Sequence, residues 1–277
     1  MIAIIRGAGD IATGIAWRLW QAHFDIIMTD LERPTAIRRT VAFSTAIDEG
    51  EMTVEGVKAL KCTNINEINE AIKNRNIAVI PDPEMNILKE IKCHILVDAI
   101  LAKKNMGTNI NQAPVVIGVG PGFCAGKDCH YVIETKRGHN LGVVIENGEP
   151  APNSGVPGNI GGYTKERIIR AKSKGIFKPL KAIGDIVKKG DIIAEVSGNP
   201  LKAEIDGMIR GMLFEGIEVT EGFKCGDIDP RGEMAQFTTI SDKARAVGGG
   251  VLEAVMRKYG GLLNECKNSM EWGCKNT

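Results

Sequence analysis

Residues 1–14, Met-Ile-Ala-Ile-Ile-Arg-Gly-Ala-Gly-Asp-Ile-Ala-Thr-Gly, constrain this chain more than any other stretch. Met1–Ile5 is an apolar, β-branched run of strand length, and it breaks into Gly7-x-Gly9-x-x-Ala12. Ile11, Ala12, Ile15, Ala16 and Leu19 then recur at helical spacing. In a strand, glycine turn, helix unit, the first glycine permits the tight turn and the second lets a ligand approach the backbone. The small residue at Ala12 lets helix and strand pack closely. Amides at the start of the helix, with the helix dipole behind them, favour a phosphate there. Asp10 stands where an N-cap would and would compete for the same amides. A glycine turn can also be a plain connector, so this stretch alone leaves ligand binding and simple connection both open.

The 277 residues suggest two domains. Charge is balanced at a formal +1, which gives no extended nucleic-acid surface. No apolar run reaches bilayer length, and Met1–Ile5 leads into a glycine turn where a signal peptide would continue apolar. A cytoplasmic chain without membrane attachment is expected. Seven cysteines in a chain large enough to need no staples read as reduced thiols.

Asp25–Asp30 reads as a second strand ending in an acid, 21 positions after Gly9. Two readings of Asp30 compete: it reads ribose hydroxyls from a strand end, or it caps a helix starting near Pro34. Arg33, Arg38 and Arg39 either meet a phosphate or form a solvated helix face. Met52–Thr63 predicts a strand or hairpin, and Asn64–Arg75 a helix with an Asn cap and Glu67 three residues on. Ile77–Ile80 and His94–Ile100 predict strands separated by a helix near Met85–Lys92. This alternation predicts an α/β, Rossmann-like, doubly wound parallel sheet over residues 1–128.

Val115–Val119, a further buried strand, empties into a second glycine-rich loop with four glycines between Gly118 and Gly126. Gly120, Gly122, Gly126 and Lys127 could wrap an anionic or planar ligand as a nest, although the Gly-Lys-Ser/Thr ending of a P-loop is missing. The alternative is a structural turn. Residues 129–175 predict a hairpin, with Lys136–Asn140 at its tip, followed by a glycine-rich connecting segment and a short basic helix over Lys165–Lys174. Gly184-x-x-Val187-x-x-Gly190 recurs 32 residues later as Gly216-x-x-Val219-x-x-Gly222. This echo resembles the half-barrels of biotinyl/lipoyl-type folds and predicts a barrel over residues 176–240, without the exposed lysine hairpin of a carrier. The glycine triplet Gly248–Gly250 leads into a C-terminal helix within residues 241–260, and residues 261–277 predict a flexible tail.

Taken in order, GAGDIATG, RRTVAF, VDAILAKKN, GVGPGFCAGKD, VIETKRGH, PNSGVPG, DIDPR and SDKARA resemble the YqeB-type proteins of the selenium-dependent molybdenum hydroxylase system, from residue 1 to about 257. The resemblance implies an accessory factor in maturing a molybdenum hydroxylase. Such a factor would handle the molybdenum cofactor, or its selenium or sulfur ligand, with the hydroxylase as client.

Chalcogen transfer needs a thiolate, and Cys124, with Lys127 near in sequence, is the candidate catalytic residue; a small loop residue is the plainer reading. Cys124-x4-Cys129-His130 lacks a second pair at ligand spacing, so no metal is expected. No Ser-His-Asp order or HExxH helix is present, which leaves catalysis open. Arg137 and His139 suit a phosphate, whereas Asp227, Asp229 and Arg231 form either a salt bridge at a turn or a site. Three functions follow. The first is a maturation factor holding a phosphorylated pterin between the two glycine loops, near Arg137 and His139. The second is an NAD(P)-dependent oxidoreductase served by Gly7, Gly9 and Asp30. The third is a scaffold that docks its client through the barrel and binds nothing small; under any of the three a homo-oligomer stays open.

Overall fold

The computed structural model describes the backbone of residues 1–269 and the side chains of residues 1–260. β1 (Ile2–Arg6) is the middle strand of a nine-stranded sheet. To one side lie β2 (Asp25–Asp30), β5 (Ile77–Pro81), β4 (Val57–Lys61) and β3 (Glu51–Val54); to the other lie β6 (Ile95–Asp98), β7 (Val115–Val119), β8 (Tyr131–Ile133) and β9 (Val144–Ile145). Strands β4 to β8 run parallel, and an antiparallel partner closes each edge, β3 on β4 and β9 on β8. The inner strands are apolar on both faces because both faces are covered. Ala3, Ile5, Ile26 and Met28 pack under α1 (Asp10–Gln21) and α4 (Asp242–Ser269), whereas Ile4, Ile27, Leu96 and Val116 pack under α3 (Ile65–Lys73) and the loops beside it. Asn64 caps α3, its side chain accepting from the Glu67 amide at 3.0 Å while Glu67 accepts from the Thr63 amide at 2.7 Å. A short α2 (Thr45–Glu49) precedes β3.

Four expectations are corrected here. The sheet is mixed, and it is not the Rossmann-like doubly wound parallel sheet: the links from β5 to β6 and from β6 to β7 carry only 3₁₀ turns (Asn86–Lys89, Ile110–Gln112), and the link from β7 to β8 is the second glycine loop. Residues 82–92 do carry apolar positions at helical spacing, but Met85 adopts the left-handed region (φ +59°), which limits the segment to a 3₁₀ turn from which Met85 and Ile87 plug the core. Nor do residues 176–240 form a biotinyl/lipoyl-like barrel. Eight strands build two separate four-stranded antiparallel sheets around Phe177, Ile193, Ile209 and Met212. One contains β10 (Ile168–Arg170), β17 (Lys224–Asp229), β15 (Gly207–Met212) and β12 (Ile186–Val187). The other contains β14 (Asn199–Lys202), β13 (Ile192–Val196), β11 (Gly175–Pro179) and β16 (Glu218–Val219). The 32-residue echo supplies β12 and β16, each ending one sheet, so the repeat closes two edges and does not join them into a barrel. The basic helix expected over Lys165–Lys174 is a 3₁₀ turn (Lys165–Arg167) running into β10.

The glycine triplet lies inside α4, which starts at Asp242. A Cβ on Gly14 of α1 would stand 2.7 Å from the Cβ of Ala244, and one on Gly248 would stand 2.7 Å from the Gly14 carbonyl oxygen. The two helices therefore touch backbone to backbone, and glycine is kept there despite its poor helix propensity. The tail expected over 261–277 is helical through Ser269; residues 270–277 lie outside the described residues.

Gly249 meets nothing within 4 Å. Gly249→Ala should raise the unfolding free energy by about 0.5–1 kcal/mol through propensity alone, whereas Gly248→Ala should lower it by about 1–3 kcal/mol through overpacking. Urea denaturation of the two variants checks the opposite signs.

Candidate functional site

The chain leaves β1 toward β2 through α1, while β6 lies on the other side of β1, and a crevice opens at the carboxyl ends of these strands. Gly7 turns the chain with φ of +97°, and a Cβ there would stand 3.1 Å from the backbone of Ala99 and Ile100. Gly9 is the extended N-cap of α1, and a Cβ there would meet only Ala36, at 4.0 Å. That open space belongs to a cleft of about 440 Å³ walled by Arg6, Asp30, Ala36, Ile100, Leu101 and Met106. The first helical bond runs from the Thr13 amide to Gly9 oxygen at 2.8 Å. The amides of Gly9, Asp10, Ile11 and Ala12 find no acceptor among the described residues. Asp10 does not cap: its carboxylate turns to Arg38, 3.7 Å away.

Asp30 does not cap a helix, since residues 31–38 form none. Its Oδ2 accepts from the Ala8 amide at 2.7 Å and its Oδ1 from the Leu31 amide at 2.8 Å. Burial pushes this carboxyl above its ordinary range, against the pull of those two bonds. Each oxygen keeps a second lone pair for a ligand hydroxyl. Beneath the cleft the Arg6 guanidinium donates to Met106 oxygen (2.9 Å) and Pro83 oxygen (3.2 Å) and meets Asp98 Oδ2 at 3.3 Å. Asp98, fully buried, also accepts from Thr108 Oγ1 at 2.6 Å. The sequence marks Arg6 and Asp98 only as residues at strand ends; their pairing follows from β1 and β6 being neighbours.

The structure thus brings Gly7, Gly9, Asp10, Ala12 and Asp30 together in one cleft. It does not bring Gly120, Gly122, Gly126 and Lys127 to them. A Cβ on Gly120 would stand 2.8 Å from Thr135 Oγ1, and one on Gly122 would stand 2.6 Å from the Lys104 amide nitrogen. Gly120 and Gly122 are therefore packed against their own protein, whereas Gly126, whose Cβ position meets nothing nearer than 3.7 Å, and Lys127 lie exposed beyond them. Arg137 lines a separate cleft of about 300 Å³, its guanidinium bound to both carboxylate oxygens of Asp242 at 2.5 and 3.0 Å. His139 is exposed on the hairpin tip and lines none of the described clefts. Cys124 is half-buried, with its amide donating to Asp128 Oδ2 at 2.8 Å, and it too lies outside these clefts. Burial pushes the Cys129 thiol up to about 12, which keeps it protonated at neutral pH.

The arginines after Asp30 serve the boundary between the two modules. Arg33 donates to Glu215 oxygen at 3.0 Å, and Arg39 donates to Met212 oxygen at 2.8 Å and stacks on Phe214. Arg38, 7% exposed, donates to Thr239 oxygen at 3.3 Å. A solvated helix face is excluded by the absence of a helix at 33–38.

No family model matches the chain. Over 255 residues it is 55% identical to the uncharacterized protein YqeB of Escherichia coli (strain K12), a match covering 92% of this chain and 47% of that protein. The chain spans about half the length of this curated relative, whose name agrees with the resemblance carried by the motifs. Among solved structures it is similar to an aspartoacylase family protein of Mesorhizobium loti, at 11% identity and a TM-score of 0.28 over 82% of this chain and 84% of that one. It is also similar to a succinylglutamate desuccinylase/aspartoacylase of Rhodobacter sphaeroides, at 16% identity and a TM-score of 0.25 over 82% and 85%. None of these names refers to molybdenum. Among the described residues no helix is long and apolar enough to cross a membrane.

Asp98→Ala strands the Arg6 guanidinium where neither side chain is more than 12% exposed, so it should cost about 3 kcal/mol of stability in urea denaturation. The bond from Arg137 holds the Asp242 carboxyl down at about 2, against an ordinary 3.8. A carboxyl depressed in the folded state stabilises fully above its ordinary value and loses that contribution as pH falls toward the folded one. Because the pair is solvent-exposed, the contribution is under about 1 kcal/mol. Stability followed from neutral pH down to about pH 2 should fall slightly less steeply in Asp242→Asn than in the parent chain.

Proposed function

We propose that the cleft at the ends of β1, β2 and β6 binds a phosphorylated, nucleotide-like small molecule. Its phosphate would rest on the amides of Gly9 to Ala12, with Asp30 accepting from its hydroxyls. The observation that carries this reading is the set of bare amides at the start of α1, open to the cleft because Asp10 is paired with Arg38. The motif resemblance supports assigning the binding to the maturation of a selenium-dependent molybdenum hydroxylase, with the hydroxylase as client protein. A phosphorylated pterin of the molybdenum cofactor type is then the first ligand to test, since its phosphate suits the bare amides and the apolar wall of Ile100 and Leu101 suits its ring. The residues present would bind and orient such a group; the bound metal would supply any redox chemistry. NAD(P) is the second reading, favoured by an acid at the end of β2.

Thermal denaturation with phosphorylated pterin and with NADP⁺ separates these readings. A ligand at 100 times its dissociation constant should add about 2.7 kcal/mol of stability. Gly9→Val leaves the fold intact, because only Ala36 is near, and should abolish the response. A response unchanged in Gly9→Val overturns the phosphate position. Silence with both ligands in the parent chain favours a scaffold.

A further inference from the structure

The cleft on α1 holds charge of both signs, and its layout keeps them apart. The bare amides begin at Gly9, while the amide just before them, on Ala8, donates to Asp30 Oδ2 at 2.7 Å. The phosphate cradle and the Asp30 carboxylate therefore adjoin along the turn. Asp30 Oδ1 accepts from the Leu31 amide at 2.8 Å, so each oxygen carries one protein bond and keeps one lone pair. Two free acceptors side by side match two neighbouring hydroxyls. A 5′-phosphorylated ribose carries such a pair on its ring and its phosphate on the ring's arm, so a single sugar spans both parts of the cleft.

The Asp30 end of this cleft has no cation to spare. Arg33, Arg38 and Arg39 follow Asp30 in sequence, yet none of them lines the cleft. Arg33 donates to Glu215 oxygen at 3.0 Å, Arg39 to Met212 oxygen at 2.8 Å and Arg38 to Thr239 oxygen at 3.3 Å. Among the lining residues the one cation is Arg6, and both its terminal nitrogens are engaged. Nη1 donates to Met106 oxygen at 2.9 Å and meets Asp98 at 3.3 Å, and Nη2 donates to Pro83 oxygen at 3.2 Å. The charge of Arg6 is matched by Asp98, as that of Asp10 is by Arg38. The remaining lining carboxylates, Asp30 and Glu84, have no ion-pair partner among the described residues. A phosphate on the ribose ring itself would set a dianion against Asp30 with no guanidinium or ammonium to meet it. Like-charge contact of this kind excludes a wrong partner.

Resting on the reading of this cleft as a phosphate site, we infer that it selects nucleotides whose ribose hydroxyls are free and excludes those with a phosphate on the ribose 2′ position. Asp30 is the specificity-determining residue. The class so defined takes in NAD⁺ and a pterin carried as a nucleotide, and it leaves out NADP⁺. Guanidinium forks are the groups that would receive a ribose phosphate, and the three nearest in sequence serve the module boundary instead.

The test is calorimetric titration of the full chain with NAD⁺ and NADP⁺, which differ only in the ribose 2′-phosphate. NAD⁺ should bind about tenfold or more tightly than NADP⁺. Asp30→Asn should weaken NAD⁺ by about tenfold, as loss of a charge-assisted contact does, and bring the ratio of the two affinities close to unity. A purely structural loss would weaken both ligands alike and leave the ratio where it was. Leu31→Arg keeps the test available if Asp30→Asn fails to fold, since Leu31 lines the cleft and is 44% exposed. It sets a cation beside Asp30 and should raise the affinity for NADP⁺ by about tenfold with that for NAD⁺ little changed. Equal affinities in the parent chain, a preference for NADP⁺, or a ratio that neither substitution moves would each overturn the inference. If phosphorylated pterin gives its Gly9-dependent response and neither dinucleotide binds, the ribose inference falls and the phosphate site stands. Binding of NAD⁺ that survives Gly9→Val, or silence with all three ligands, overturns both.

Discussion

The bond from the Ala8 amide to Asp30 is the contact on which the first cleft depends. It fixes the turn between β1 and α1 to the end of the neighbouring strand, and it consumes only the amide just before the helix. Ala8 is held from its other side as well, because its carbonyl accepts from the Ser44 amide at 2.9 Å and from Thr13 Oγ1 at 3.3 Å. Thr13 Oγ1 in turn accepts from the Phe43 amide at 2.8 Å. A turn pinned in this way cannot collapse onto the cleft, so the next four amides keep their outward direction without any ligand to hold them. That is preorganisation, and it lowers the ordering cost of binding an anion there.

The second module is fastened to the first mainly by residues 33–40. Met212 donates its amide to Ile37 oxygen at 2.7 Å, Arg33 and Arg39 donate to carbonyls of the second module, and Thr40 Oγ1 is bonded to Phe237 oxygen. A Cβ on Gly211 would stand 3.0 Å from Ile37 oxygen, so the close approach needs glycine at that strand position. Arg245 clasps both carboxylate oxygens of Glu55 at 2.6 and 2.7 Å, and Glu55 also accepts from the Ile240 amide. Most of these acceptors are backbone carbonyls, which a side-chain change cannot remove. The boundary is therefore specified by the two backbones as much as by residue identity.

What was legible in the sequence was local. The turn at Gly7 and Gly9, the Asn64 cap and the paired glycines of the 32-residue echo are set by neighbours within a few positions, and spacing alone reveals them. The missing crossover helices were not legible, because single residues such as Met85 and Ile87 satisfy the core from a turn as well as a helix would. Gly248 reads as a helix breaker until Gly14 is known to lie against it. The second glycine loop has the composition of a ligand cradle, yet Thr135 and Lys104 fill the space that Gly120 and Gly122 leave. Arg167 and Asp227 are 60 residues apart in sequence, and Arg38 and Thr239 are 201 apart. No periodicity or motif joins residues so distant, so the boundary cluster becomes visible only once the modules are docked.

Docking also explains why the first cleft is open. Asp10 sits in the first turn of α1, where its charge is favourable to the helix dipole and where it could fold back onto the bare amides. Arg38 draws it the other way, and Arg38 is itself held at the boundary by Thr239 oxygen and by the field of Asp227 and Asp229. Burial and the nearby Arg210 both push this guanidinium below its ordinary range, so the carboxylate of Asp10 is one of the few groups that stabilise its charge. The second module thereby fixes the position of a side chain in the first.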